Sequence, residues 1–239
     1  MLKIFRNIRK QFLREGKKVQ YFKYAIGEIV LVVIGILIAL SINNWNQEKT
    51  NRTEEQNYYK NIKRQLNQDK GEISGNVDYN NIYLQQYNYA INIIEKNDRT
   101  EIDSLAQITI NLMKFSDFHR QSNIYETMVI SGEIKLLKNK QIIERLQHLE
   151  QTYIYMNKLE STHSEAVNSV IVPDIIVRMI KIFNMKIENI EMMYSFELQN
   201  SFVLMTSLMM EKNEIYQRGL DEINVLNNLI DDELGIQKN

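Results

Sequence analysis

The chain has 239 residues, 44% of them hydrophobic and 25% charged, which supplies enough apolar material for a core and excludes a disordered polar chain. It contains no cysteine, so disulfides, thiolate zinc sites, iron–sulfur clusters and cysteine nucleophiles are excluded together. One proline and eight glycines are too few for the turns of a sheet protein and point to an all-α chain, while the net charge of −1 conceals a strong asymmetry between the two ends.

Residues 1–23 are expected to form a basic amphipathic tail on the cytoplasmic side. Up to Tyr24 the chain holds eight Lys and Arg residues against Glu15 alone, a net of +7, which leaves −8 for the remainder. Arg6, Arg9, Lys10, Arg14, Lys17 and Lys18 are interleaved with Leu2, Ile4, Phe5, Ile8, Phe12 and Leu13. That pattern suits a helix lying on an anionic leaflet, where each basic side chain contributes about 1 kcal/mol. Nucleic acid would use the same charges, but the flank of a membrane span acquires them anyway, so lipid is the expected partner and nucleic acid is not.

Residues 24–45 read as one transmembrane helix. From Ala25 to Ile42 the sequence is AIGEIVLVVIGILIALSI; eighteen helical residues rise about 27 Å, close to the thickness of a bilayer core. Tyr21, Phe22 and Tyr24 stand at one end and Trp45 at the other, where amphipathic rings favour the headgroup layer. A cleaved signal peptide is the main rival reading, with Ala39-Leu40-Ser41 as its small-residue site; the long basic leader and Glu28 at the start of the apolar run favour a retained anchor. The Lys and Arg bias keeps the tail inside and exports the rest, to the periplasm in a bacterium. Glu28 has two readings: a packing or interfacial group four residues past Tyr24, or an ion-coupling carboxylate, since ionisable groups within a span are functional candidates by default. Gly27 and Gly35 fall on roughly one face and would let a second helix approach closely.

The stretch Tyr24-Ala25-Ile26-Gly27-Glu28, continuing through Val32 to Leu40 and on to Ile42-Asn43-Asn44-Trp45-Asn46, resembles a large bacterial family of uncharacterised single-span envelope proteins. Ser131 to Asn139, reading SGEIKLLKN, is a second and looser match. Together the two motifs touch about a fifth of the chain. The resemblance implies an envelope location and a shared topology, and it carries over no catalytic residue.

After Trp45 a membrane-proximal helical segment, 46–96, carries a narrow stripe of Tyr59, Ile62, Leu66, Ile73, Val77, Leu84, Tyr87, Ile91 and Ile94. It permits a coiled-coil stalk, although the polar position near Asp69 and the pair Gly71 and Gly75 predict a kink or break. Residues 97–239 are expected to form a helical bundle. Asn97 to Thr100 reads as a turn, with Thr100 or Asp103 as the cap of a short helix. Ser116 to Gln121 reads as a break, and Gly132 as the left-handed cap of the helix before it. A stripe from Ile142 to Leu159 marks a longer helix, Pro173-Asp174 the opening of another, and the pattern from Phe196 to Leu234 completes an antiparallel bundle.

Candidate chemistry is sparse. Glu144 and His148 are one helical turn apart, and Glu150, His163 and Glu165 are near in sequence, but no His-Glu-x-x-His occurs and an exposed ion pair is the favoured reading. His119 reads as a satisfied polar residue at a corner. The methionines between Met179 and Met210 suit adaptable core packing better than a metal or a partner. No glycine-rich phosphate loop is present, and no cofactor is indicated. The sequence therefore points to a non-enzymatic, inner-membrane-anchored interaction module, an accessory or scaffold subunit that binds itself or another envelope protein. An ion-coupled subunit using Glu28 is the alternative.

Overall fold

The computed structural model describes residues 18–120 and 122–236. Within them the chain is all-α apart from one two-residue hairpin, as the low proline and glycine content dictates. Five helices follow in order: α1 (Lys18–Glu95), α2 (Ile102–Asn111), α3 (Ile124–Ser131), α4 (Lys140–Ala166) and α5 (Phe196–Leu234). The chain divides into two compact units, Met1–Glu55 and Gln56–Asn239.

In the first unit α1 carries the apolar run. Every Ile, Val and Leu from Ile26 to Ile42 is between 47% and 64% exposed, and none of the described side chains buries them. The aromatic flank is exposed as well, Phe22 and Tyr24 at one end and Trp45 at the other, with the Lys49 ammonium 5.9 Å from the Trp45 ring centre. Among the described residues, one helix is therefore long and apolar enough to cross a membrane. Of the basic tail, Arg6, Arg9, Lys10, Arg14 and Lys17 lie outside the described residues, and Lys18 opens α1.

In the second unit α1, α4 and α5 lie side by side. α1 and α5 are antiparallel: Lys63 bonds to Asp231, Asn227 to Asn67, Lys70 to Asn224, Asn80 to Asn213 and Gln199 to Glu95, a register that steps in opposite directions along the two helices. α4 shares its early residues with the early part of this stretch of α1 in one apolar cluster (Tyr59, Ile62, Leu66 with Ile142, Leu146, Leu149), so these two run parallel. The opposite end is a second cluster, in which Tyr87, Ala90 and Ile93 meet α2, the segment after α4, and Leu198, Phe202 and Met205 of α5. Burying a side chain of this size stabilises by about 1.5–3 kcal/mol.

Parallel α1 and α4 require a return leg, and an extended loop supplies it, described over residues 112–120 and 122–123. Local chemistry fixes the corners. Asp98 accepts from the Thr100 N–H, so Asp98 rather than Thr100 or Asp103 caps the turn before α2. Asn123, Asn139 and Ser195 cap α3, α4 and α5 through their side-chain oxygens. Gly132 ends α3 at φ +78°, the left-handed conformation that glycine adopts without a Cβ clash.

Two expectations are corrected. α1 passes through Gly71 and Gly75 without a break, because both sit within a helix whose neighbouring positions, Leu66, Asp69 and Ile73, are locked in the core. Pro173 does not open a helix. It lies inside a wider-turned π-helical stretch, Val167–Ile176, that continues from α4. A regular α-turn would bring its ring against the carbonyl four residues back, and the wider turn relieves that clash. The stretch closes in one helical turn, Val177–Met179, and the hairpin β1 (Ile180–Lys181) and β2 (Lys186–Ile187), antiparallel with Ile180 opposite Ile187.

Candidate functional site

The apolar stripes of the three long helices are interrupted by buried polar residues in the middle of the bundle. On α4 the sequence of inward positions runs Tyr153, Met156, Glu160, His163, Val167; on α5 it runs Met205, Met209, Lys212, Tyr216. Asp69 and Asn80 do the same on α1. Glu160 is 4% exposed, and His163 and Lys212 are fully buried.

Much of this polarity serves the extended return loop, whose backbone groups have no helix or sheet to pair with. The Lys212 ammonium donates to the Ser116 carbonyl, the Phe118 N–H donates to Glu160 Oε1 at 2.9 Å, and the His119 N–H donates to Glu72 at 2.7 Å. Asn76 donates to the Asp117 carbonyl, and Gln65 clamps the loop's far end by donating to the Ser122 carbonyl and accepting from the Ile124 N–H. The Tyr216 hydroxyl donates to Glu160 Oε1 and lies 3.3 Å from the Ser116 hydroxyl.

Burial and these contacts set the protonation of the centre. Burial pushes the Glu160 carboxyl up to about 7, against the opposing pull of the Tyr216 hydrogen bond and the Lys212 charge. Burial lowers His163 to about 4, aided by Lys212, so the imidazole is neutral at physiological pH. Lys212 is brought down to about 8 by its own burial, with Glu160 acting the other way. A second buried pair lies nearby: the Tyr153 hydroxyl donates to Asp69 Oδ2 at 2.9 Å, and burial raises the Asp69 carboxyl despite that bond.

Glu160 Oε2 and both ring nitrogens of His163 are buried without a hydrogen-bond partner, as is Asn80 Oδ1. Glu160 lines a cleft of about 910 Å³, together with Phe115, Asp117, Ser161, Ser164 and Glu165. The His163 ring packs 5.5 Å from Phe115 at the cleft wall. The π-helical stretch begins at Val167, immediately past these residues, so the cleft sits where the regular helix ends.

With this geometry in place, comparison with known families is informative about membership. A family of unknown function, DUF6090, matches residues 28–213. The chain belongs to that family. The DUF6090 match takes in most of the apolar span, the return loop, and Glu160, His163 and Lys212. Neither the curated proteins nor the solved structures gave a match.

The residues singled out from sequence are scattered over the fold. Gly27 and Gly35 are on the exposed span, and a Cβ added at either would meet nothing within 4 Å; Glu28 is half-buried on the same helix. Glu144 and His148 are exposed on α4, where Arg145 reaches across to Glu222 at 2.8 Å. His119 is exposed and sits 3.1 Å from Asp117. Glu150 pairs with Arg120 rather than with a histidine. The SGEIKLLKN motif forms a corner: Glu133 accepts from Tyr58 and Ser131, which hold its carboxyl below the usual range. His163, weighed only as part of an exposed pair, is instead fully buried, and Glu160, Lys212 and Tyr216 were missed. Their signal is legible in hindsight, since each occupies a position of an otherwise apolar three–four spacing.

Proposed function

We propose that this DUF6090 member is an inner-membrane-anchored, non-enzymatic helical interaction module, with its tail in the cytoplasm, its bundle in the periplasm, and itself or another envelope protein as partner. The observation that carries the reading is the uncovered apolar surface from Ile26 to Ile42, on a chain that buries a separate core of its own. Water disfavours such a surface by about 25 cal/mol per Å², and lipid removes the penalty. The basic tail supports the orientation, because Lys and Arg are retained on the cytoplasmic side. Gly27 and Gly35 support helix association within the membrane, being open to close approach.

The test is affinity isolation of the full chain in mild detergent, with crosslinking before solubilisation. Self-association or a single-span or soluble envelope partner is the expected result. A monomer with no crosslinked partner would contradict it, and a multi-span partner would promote the ion-coupled reading. Glu28→Gln separates the two further: it keeps the shape and hydrogen-bonding capacity of the side chain and removes its charge. Complementation of a deletion strain by that variant is expected; a stable, assembled but inactive variant would make Glu28 a proton carrier.

A further inference from the structure

The cleft beside Glu160 has the parts of a binding site that the scaffold does not account for. Glu160 Oε1 is occupied by the Phe118 N–H and the Tyr216 hydroxyl, while Oε2, on the same 4%-exposed side chain, has no partner. An unpaired carboxylate oxygen in an apolar surrounding is destabilising, so a donor brought to Oε2 would stabilise the fold. The structural needs of the return loop are met by Oε1 and Lys212, and Oε2 is left for something else.

The surrounding chemistry specifies the charge of that something. Asp117 and Glu165 are exposed at the rim, and Ser161 and Ser164 add hydroxyls on the α4 face. Phe115, half-buried, borders the same space, while the Phe118 ring is buried against Tyr153, 5.1 Å between ring centres. The guanidinium of the wall, Arg120, is held by Glu150 and lies over the Tyr153 ring, 4.8 Å from its centre, and His119 is paired with Asp117. Lys212 is directed at the Ser116 carbonyl. The acceptors thus outnumber the uncommitted donors, and the Phe115 wall favours a cation with apolar parts. Among the described residues no group of three or more His, Asp or Glu side chains is placed to hold a metal ion.

We propose that this cleft binds a small organic ammonium ion, whose N–H groups donate to Glu160 Oε2 and whose charge is balanced by Glu165 and Asp117 at the rim. The hydrocarbon part lies against Phe115. This assignment is independent of the anchor and its orientation, and a failure of either leaves the other standing.

Isothermal titration calorimetry on the full chain in mild detergent tests it, with putrescine as probe, 1,4-butanediol as its uncharged isostere, and calcium as a metal control. Saturable putrescine binding is expected, with none for butanediol or calcium. Glu160→Gln is expected to weaken putrescine at least tenfold while circular dichroism stays helical. Because Glu160 also supports the loop, Glu165→Gln on the exposed rim provides a variant that leaves the core untouched, with a loss of about threefold expected from one partly screened charge. The proposal is overturned by absence of saturable putrescine binding to the wild type, by equal binding of butanediol, by calcium competing putrescine out, or by a folded Glu160→Gln chain binding as the wild type does. Should Glu160→Gln fail to fold, unchanged affinity in Glu165→Gln overturns it.

Discussion

Glu160 and His163 are one turn apart on α4 and respond to pH in opposite senses. The folded-state Glu160 carboxyl, at about 7, binds its proton more tightly than an ordinary carboxyl does, so its contribution to stability is complete below the unfolded value near 4.5 and is lost as pH rises through about 7. His163, lowered to about 4, is the reverse: its contribution is complete above the unfolded value near 6.5 and is lost as pH falls through about 4. Across the window they share, the two slopes oppose, and Asp69, whose carboxyl burial also raises, adds to the Glu160 side. Lys212, at about 8, titrates above this window. The charged and titratable groups facing Glu160 are Lys212, Tyr216 and Asp117, and they leave the ordering unchanged. Thermal melts of the full chain between pH 4 and 8 should separate the components. Glu160→Gln is expected to tilt the profile toward a melting temperature that rises with pH across the lower part of the range, since the His163 component is no longer offset by Glu160. His163→Leu is expected to leave one that falls with pH, the Glu160 component together with that of Asp69. Identical profiles for the two variants would refute this assignment of protonation states.

At the scale of helices, the bundle is held by close approach as well as by stripes. A Cβ placed on Gly219 of α5 would lie 2.4 Å from the Met156 terminal methyl of α4 and 3.7 Å from both Ile73 of α1 and Thr152 of α4, so this one glycine sets the spacing of three helices. Gly219→Ala removes the helix-propensity penalty of glycine, about 0.5–1 kcal/mol, and needs only a flexible methionine tip to move, so its net effect is expected within about 1 kcal/mol of zero. Gly219→Leu adds volume that no tip motion absorbs and is expected to destabilise by about 1–3 kcal/mol in chemical denaturation. Equal stability of the leucine variant would show that α4 and α5 are not in close contact there. The same helices show what the sequence makes legible. The stripes on α4 and α5, the corner at Gly132 and the break before α3 follow from spacing and residue type alone. The continuity of α1 through Gly71 and Gly75 does not, because tertiary packing of Leu66, Asp69 and Ile73 overrides local propensity. The π-helical passage through Pro173 is equally hidden, since proline after a helix reads as a start signal unless the widened turn is known. Glu160 and Lys212 look like ordinary surface charges until the return loop they satisfy is seen to pass beside them.

For the whole molecule, membership of DUF6090 and an all-α fold with one exposed apolar helix are established, and the account of its role rests on which side of a membrane the bundle occupies. The chain has no cysteine, so any thiol introduced into it is unique and reports its own location. Ser207 is exposed on α5, where a cysteine leaves the core untouched, and Asn7 lies in the basic tail. The decisive measurement is labelling of Ser207→Cys and Asn7→Cys in spheroplasts with a membrane-impermeant maleimide, before and after lysis. An exported bundle on a retained anchor gives immediate labelling at position 207, labelling at position 7 only after lysis, and both thiols in the membrane fraction. Protection of position 207 until lysis, or its release as a soluble fragment, would contradict the account.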